Sequence, residues 1–214
     1  RSIKAQRSWQ AVLGMDYHFV AWDRPFKLTT EVYYKDLKNL IPYTVDNVRI
    51  RYYGGNLAYG HTAGLDVKLF GEFVPGTDSW ISLSLMDSKE TIGNYTVARP
   101  NEQRYNISLY FRDYLPRNPS YSMSLKLVWA DGLSFGPPSM DRSYATLRMS
   151  PYRRVDIGFS RILAREKEAF MKKGFLRHFE NIWIGLDCFN LFGINNTNSY
   201  YWITDVAGQE WAIP

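Results

Sequence analysis

The sequence predicts an all-β fold, an antiparallel up-and-down transmembrane β-barrel segment of about eight long strands. Three observations predict it. First, apolar and polar residues alternate over long runs, which gives each strand one apolar and one polar face. Second, short turns and long loops alternate along the chain, so that the long loops gather at one rim of the sheet. Third, the apolar faces end in aromatic residues, as in the aromatic girdles of membrane barrels.

The clearest pair of strands flanks a long loop that is rich in tyrosine and arginine. The run FKLTTEVYY at 26–34 has its apolar side chains mainly at even positions. The run GLDVKLFGEF at 64–73 has them mainly at odd positions. The loop at 37–63 joins the two runs. Two amphipathic strands of about ten residues joined by a long loop form the repeating unit of a transmembrane barrel.

The rest of the chain repeats this unit. We predict eight strands, at 9–20, 26–36, 64–73, 80–87, 103–114, 121–131, 153–163 and 181–191. Short turns are expected at 21–25, 74–79 and 115–120, and long loops at 37–63, 88–102, 132–151 and 192–214. The basic stretch 164–180 is interpreted as a long turn with one or two helical turns, and 199–205 as part of a small hairpin outside the sheet.

Composition excludes several other classes of protein. No run approaches about 18 consecutive apolar residues, so the sequence holds no transmembrane helix. The net charge is +5, but lysine and arginine are spread along the chain, and we predict no nucleic-acid partner. The single cysteine, Cys188, excludes an internal disulfide and a metal site made of cysteines, and we interpret it as a small buried hydrophobe. No metal site or cofactor is predicted.

A soluble β-sandwich is the alternative fold, since it also alternates apolar and polar residues. The predicted strands are about twice as long as the five or six residues typical of soluble sheets. The polar faces carry charges of both signs, which can pair across neighbouring strands in the wall of a hydrated lumen. These charged residues are Asp16, Lys27, Glu31, Lys35, Asp66, Lys68, Glu72, Arg112, Lys126, Arg154, Asp156 and Asp187.

Several stretches of the chain resemble TonB-dependent outer-membrane receptors of the kind found in Bacteroidetes. They are RPFKLTTEVYYKDLKNLIPY (24–43), DNVRIRYYGGNLAYGHTAGLDVKLFGEF (46–73), VDIGFSRIL (155–163), NIWIGLDCFNLFGINNTNSYYW (181–202) and GQEWAIP (208–214). The phrase FNLF at 189–192, followed by a polar loop, resembles the Asn-Leu-Phe segment near the C-terminus of such receptors. The resemblance covers most of the chain from about residue 9.

The resemblance implies a place in the bacterial outer membrane, in a 22-stranded barrel with an N-terminal plug. Residues 1–214 are then expected to be a partial barrel domain, about the last third, without the plug and the final strand. The implied partners are outer-membrane lipid, the remaining barrel and plug segments, TonB through the plug, and a surface lipoprotein as a further candidate. Other segments are expected to complete the wall, because lipid does not tolerate unpaired strand edges.

The implied function is energy-coupled uptake of a large, scarce nutrient, such as a metal chelate, a cobalamin-like cofactor or an oligosaccharide. Candidate ligand-binding residues lie in the long-loop segments and are Arg49, Arg51, Tyr52, Tyr53, Tyr59, His61, Trp202 and Trp211. Tyrosine and tryptophan offer flat faces to sugars or chelators, and arginine offers paired hydrogen bonds to carboxylates. The simpler interpretation is that these aromatic residues pack on one another over the barrel mouth.

Two other functions stay open. One is a small autonomous outer-membrane barrel that acts as an anchor or adhesin. The other is an outer-membrane hydrolase, which would need an acid–base pair such as Asp16 with His18, or His61 with Asp66. The sequence has no Gly-x-Ser-x-Gly elbow and only three histidines, so we predict no catalytic residues and no enzyme activity.

Overall fold

A computed structural model describes residues 3–46, 49–115, 117–137, 140–165, 175 and 178–214. In chain order, the strands are β1 (Arg7–Ala21), β2 (Arg24–Leu40), β3 (Tyr43–Asp46), β4 (Arg49–Tyr52), β5 (Ala58–Val74), β6 (Thr77–Ile92), β7 (Tyr95–Ala98), β8 (Tyr105–Leu115), β9 (Asn118–Ala130), β10 (Ser134–Phe135), β11 (Leu147–Arg148), β12 (Tyr152–Arg165), β13 (Asn181–Cys188), β14 (Tyr201–Thr204) and β15 (Glu210–Ile213). A 3₁₀ helix covers Arg142–Tyr144.

The main sheet is an antiparallel meander. Its strand order is β1-β2-β5-β6-β8-β9-β12-β13, with the short strand β7 paired to β6. The eight predicted strands are therefore confirmed in number, order and direction. The predicted short turns are also present: Trp22 and Asp23 form a two-residue turn with φ angles of 51° and 57°. Left-handed conformations at both positions match the twist of the flanking strands.

The strands β2, β5 and β6 are longer than the sequence pattern predicts. They continue through much of the predicted loops at 37–63 and 88–102, where Leu37 pairs with Gly60 and Leu40 pairs with Ala58. The sequence pattern does not predict this extension, because the alternation of apolar residues ends before the backbone pairing ends. Three buried side chains, Leu37, Leu40 and Ala58, form a small core that supports the extended end.

In the described part of the chain, three small hairpins lie beyond the main sheet, made by β3 with β4, β10 with β11, and β14 with β15. The last confirms the hairpin predicted around 199–205. Its turn is held by Asp205, whose carboxylate accepts the backbone N–H groups of Ala207 and Gln209 at 2.9 Å. Most of the predicted turn at 164–180 lies outside the described residues.

One face of the main sheet is apolar, and we call it the outer face. A row of directly paired residues crosses seven strands on this face: Tyr17, Leu28, Leu69, Ile81, Leu109, Leu127 and Val155. Many side chains of this face are exposed, such as Leu13 at 78% and Leu186 at 72%. A continuous apolar surface of this extent marks contact with a protein or a membrane.

The opposite face is polar, and we call it the inner face. One of its rows contains Asp16, Thr29, Lys68, Ser82, Ser108, Val128 and Arg154. Charges of opposite sign pair here as predicted: Lys27 Nζ lies 2.8 Å from Asp16 Oδ2. Lys68 lies over the Trp80 ring at 5.0 Å, which couples a cation to an aromatic face.

Among the described residues, β1 pairs only with β2 and β13 pairs only with β12, so the sheet is open. A closed eight-stranded barrel would require β1 to pair with β13.

Cys188 lies at the end of the edge strand β13 and is exposed. The interpretation of Cys188 as a buried hydrophobe is therefore wrong, because no further element packs on this edge in the described part of the chain.

We expect the substitution Gly64→Ala to destabilise the sheet by about 1–3 kcal/mol. A Cβ atom at Gly64 would overlap the ring of Tyr33 and lie 2.8 Å from the carbonyl oxygen of Leu85. Gly14→Ala is the matched control on the same face, since its Cβ would have no neighbour closer than 3.4 Å. Equilibrium denaturation of the two variants measures the difference. Equal losses of stability would contradict the prediction.

Candidate ligand-binding site at the loop rim

Four loop-rim segments converge around one small cavity. The β3–β4 hairpin, the β10–β11 hairpin, the 3₁₀ helix and β14 contribute side chains that include Thr44, Arg51, Ser134, Phe135, Arg142 and Trp202. The cavity volume is about 40 Å³. That volume fits one or two water molecules, or one small polar group of a larger ligand.

Aromatic stacking joins two of these segments. The ring of Phe135 stacks on Tyr200 with centroids 4.6 Å apart and planes 12° apart. It also contacts Trp202 at 5.9 Å. The β10–β11 hairpin is thereby packed against the start of the β14–β15 hairpin. Phe135 and Trp202, whose ring planes are tilted by 45° to one another, give the cavity an apolar side.

A buried ion cluster lies beside the cavity and consists of Arg142, Arg99 and Glu90. Arg142 is only 2% exposed, and its Nε lies 3.2 Å from Oε1 of Glu90, which is 1% exposed. Arg99 Nε lies 3.9 Å from the second oxygen of Glu90. Arg142 also donates through Nη2 to the carbonyl of Ala98. Burial lowers the pKa of Arg142, although the nearby carboxylate of Glu90 opposes this effect.

A second ion cluster consists of Arg148, Glu102, Asp131 and Arg104. Arg148 binds the buried carboxylate of Glu102 through Nη2 and lies 3.0 Å from Oδ2 of Asp131. Arg104 binds the same oxygen of Asp131 at 2.6 Å. Burial would raise the pKa of Asp131, but the two guanidinium groups outweigh it and hold that pKa below its ordinary value. The cluster fastens the β10–β11 hairpin to the β8 and β9 ends of the sheet.

Two of the eight candidate residues from the sequence, Arg51 and Trp202, line the cavity. A third, Tyr53, is adjacent to it in structure, because its hydroxyl accepts the backbone N–H of Arg142 at 2.8 Å. Tyr52 contacts the Tyr43 ring across the β3–β4 hairpin at 5.8 Å. Arg49 is exposed on β4, where it pairs with Asp46 in the backbone register.

The other three candidates lie elsewhere. Tyr59 and His61 are at odd positions of β5, so they belong to the outer face, and His61 stacks on Tyr34 at 6.3 Å. His61 Nε2 also lies 3.3 Å from Asp87 Oδ2. Trp211 is half exposed on β15 and donates its indole N–H to Asp205. These three are therefore not brought to the cavity.

Of the two acid–base pairs named from the sequence, Asp16 and His18 lie on the same face of β1. Asp16 is engaged by Lys27 and by Thr29 Oγ1, which donates to it at 2.7 Å. His61 and Asp66 lie on opposite faces of β5 because their positions differ in parity. Among the described residues, no group of three or more His, Cys, Asp and Glu side chains is arranged to hold a metal ion.

Arg142 and Phe135 are not among the residues that the sequence predicts for the site. Both lie in the predicted long loop at 132–151, which gave no pattern that distinguishes one arginine or phenylalanine from another. The partner of Arg142, Glu90, is at the far end of β6, so the pairing depends on the fold and not on local sequence.

Comparisons of this chain with protein-family models, with curated proteins and with solved structures found no match. Within the part of the chain that the structure describes, no helix has the length and apolar character needed to cross a bilayer.

Proposed function

We propose that this chain forms part of the barrel wall of an outer-membrane receptor that takes up a large, scarce nutrient by energy-coupled transport. The observation that carries the proposal is the charge-free apolar band on the outer face. The charges nearest to it on the loop-rim side are Asp87 of β6, in the row of Ala11, and Arg153 of β12, in the row of Met15. The row through Tyr17 crosses seven strands without a charge. On β1 the outward side chains from Ala11 to Phe19 are all apolar or aromatic. At about 3.4 Å per residue, this part of β1 is about 27 Å long, comparable with the band of outer-membrane barrels.

Charged residues of the outer face lie above and below this band. Asp36, His61 and Lys89 form one row at the loop-rim end, where Lys89 Nζ lies 2.9 Å from Asp87 Oδ1. Asp113 and Arg161 lie at the short-turn end of β8 and β12. Polar belts on both sides of an apolar band are what two lipid headgroup regions favour.

The open edges and the loop rim support the receptor part of the proposal. The exposed edges of β1 and β13 would be completed by further segments of the barrel, since an unpaired edge is unstable in lipid. The loops pack together over the inner face through the two ion clusters, which leaves a formed surface at the rim. The resemblance to TonB-dependent receptors favours ligand capture at that surface, coupled to transport through a plug and TonB.

Spin labels at two adjacent residues of β8 test the proposal. In a background without other cysteines, including Cys188→Ser, single cysteines replace Leu109 on the outer face and Ser108 on the inner face. The complete polypeptide that contains the chain is reconstituted in lipid vesicles. We expect molecular oxygen to relax the label at 109 strongly and a water-soluble nickel chelate to relax the label at 108.

Two outcomes would contradict the membrane assignment. A label at 109 that is shielded from both relaxing agents would place the outer face in a protein core, as in a soluble sandwich. Equal access of the nickel chelate to both labels would place both faces in water.

A further inference from the structure

We propose that the outer face carries a binding site for a phospholipid near its short-turn end. The guanidinium group of Arg161 would bind the lipid phosphate, and an apolar groove beside Arg161 would hold an acyl chain. This site deepens the proposed receptor function, because it names a lipid partner of the barrel wall. Its physiological role rests on that function.

The apolar groove is the first reason. It lies on the outer face where β8, β9, β12 and β13 reach their short-turn ends, and its volume is about 340 Å³. That volume is within the range of about 300–1,000 Å³ that is typical of small-molecule sites. Its outward side chains are Leu115, Tyr121, Phe159, Arg161, Ile184 and Leu186. Exposed apolar side chains around a hollow favour an apolar occupant.

The state of Arg161 is the second reason. Among the described residues that line the groove, Arg161 is the charged one, and its Cζ lies 5.0 Å from the centre of the Tyr121 ring. A contact of this kind uses the flat face of the guanidinium group and leaves the five N–H donors at its edge. In the part of the chain that the structure describes, no carboxylate forms an ion pair with Arg161, and its side chain donates no hydrogen bond.

The acidic residues towards this end of the sheet do not neutralise Arg161. Asp113 lies on β8, two strand spacings or about 10 Å from β12, and its carboxylate accepts the backbone N–H of Tyr114 at 2.6 Å. Glu180 precedes β13 by one residue and is four residues, about 14 Å, from Ile184, which pairs with Arg161. The positive charge is therefore available to an anion, and a phosphate accepts paired, charge-assisted hydrogen bonds from a guanidinium group.

The direction of the groove is the third reason, and it favours a lipid over a soluble anion. Arg161 lies at the short-turn end, in the polar belt that the proposed function assigns to a headgroup region. Towards the centre of the apolar band, the next outward residues of β12 are Phe159, Ile157 and Val155. They cover six residues of strand, about 20 Å. A phosphate on Arg161 would therefore place its acyl chain along apolar surface, whereas a soluble anion would leave that surface uncovered.

Fluorescence quenching at Cys188 tests the site. Cys188 is exposed and pairs with Ile157, about 14 Å along the strands from Arg161. The complete polypeptide, with any other cysteine replaced, carries a fluorophore at this position in detergent micelles. It is titrated with a phosphatidic acid that has a nitroxide on one acyl chain, and with the corresponding diacylglycerol, which lacks the phosphate. We expect phosphatidic acid to quench at a mole fraction at least tenfold lower.

Three outcomes of this titration would overturn the proposal. Equal quenching by the two lipids would mean that the phosphate is not recognised. Quenching that does not saturate would mean that lipid contacts the label without a site. Glycerol 3-phosphate has the phosphate and no acyl chain, and displacement of the lipid by a tenfold excess of it would mean a site for soluble phosphate.

Variants locate the binding. Arg161→Gln is expected to weaken binding of phosphatidic acid at least fivefold and to leave the diacylglycerol unchanged. Arg153→Gln is the matched control, because Arg153 is an exposed arginine of the same strand and face and does not line the groove. Arg161→Lys keeps the charge but loses the paired donors, so it should retain part of the preference. Equal effects of Arg153→Gln and Arg161→Gln would overturn the site.

The outcome is distinguishable from failure of the receptor proposal. Lipid binding is an equilibrium measurement in micelles and requires neither a bilayer nor transport. The expected labelling pattern at residues 108 and 109 without a preference for phosphatidic acid would reject the phospholipid site alone. A preference that depends on Arg161, together with a water-exposed residue 109, would keep the phospholipid site and reject the membrane assignment.

Discussion

Replacing Arg148 with methionine is expected to lower the free energy of unfolding by about 3–5 kcal/mol. Arg148 joins Glu102 and Asp131, whose side chains are only 2% and 3% exposed. Without Arg148, Glu102 would keep the backbone N–H of Ser88, a 3.0 Å bond, but would lose its positive partner. A buried carboxylate without a cation is costly, and the β10–β11 hairpin would lose its attachment to the sheet. Guanidinium denaturation in micelles, followed by tryptophan fluorescence, measures the loss.

Arg104→Met is the matched control for this prediction. Arg104 binds the same Asp131 oxygen, but its own side chain is 59% exposed and Arg148 remains beside Asp131 in this variant. We expect a loss of no more than about 1 kcal/mol, as for other ion pairs with an exposed member. Adding Glu102→Gln to Arg148→Met should restore part of the stability, because it removes the stranded charge. Similar losses for the two arginine variants would contradict a specific role for Arg148.

The main sheet could be predicted because each strand carries its own periodic signal. Leu109 and Leu127 come from different runs, yet each run alternates with period 2, and the two residues pair directly in the sheet. Short turns with proline, glycine or asparagine then set the order of the strands. Local patterns therefore contain enough information to predict an antiparallel meander, although not its closure.

The extended ends of the strands could not be predicted in the same way. At Asp36 and His61 the outer face becomes polar, so the apolar alternation ends while the backbone ladder continues. Side chains alternate between the two faces along β5, and Leu65 lies on the outer face. Continuing this alternation towards the N-terminus assigns Tyr59 and His61 to the outer face as well. Both residues lie within the loop predicted at 37–63, and for that reason they are among the rim candidates.

The rim cavity depends on contacts between residues far apart in the chain. Tyr53 and Arg142 are separated by 89 positions and meet through one hydrogen bond. The choice of arginine and aromatic residues in long loops did identify Arg51 and Trp202, which line the cavity. It could not identify Arg142, because its importance arises from burial beside Glu90, and burial in a loop has no periodic signal.

For the proposed membrane barrel, an arginine at Leu109 is expected to have the largest effect on insertion into a bilayer. Leu109 lies at the centre of the apolar row on the outer face, between Ile81 and Leu127. A charge near the middle of the bilayer costs about 2–4 kcal/mol in an outer-membrane barrel, and near the interface about 0–1 kcal/mol. Leu109→Arg should therefore destabilise the protein in lipid vesicles by about 2–4 kcal/mol. Tyr105 lies towards the loop rim on the same face, so Tyr105→Arg should cost only about 0–1 kcal/mol.

Ser108→Arg is the control for chain position, since Ser108 is adjacent to Leu109 but belongs to the inner face. We expect it to change the free energy of unfolding by less than about 1 kcal/mol, because the hydrated lumen of the proposed barrel would solvate the charge. Guanidinium titration from vesicles measures all three variants. A bilayer makes the cost of a buried charge depend on its depth in the hydrocarbon. The loss of stability at 109 should therefore far exceed the losses at 105 and 108. Equal losses at 108 and 109 would mean that both faces of β8 are buried in protein, and a large loss at 105 would mean that the apolar surface continues past the membrane band.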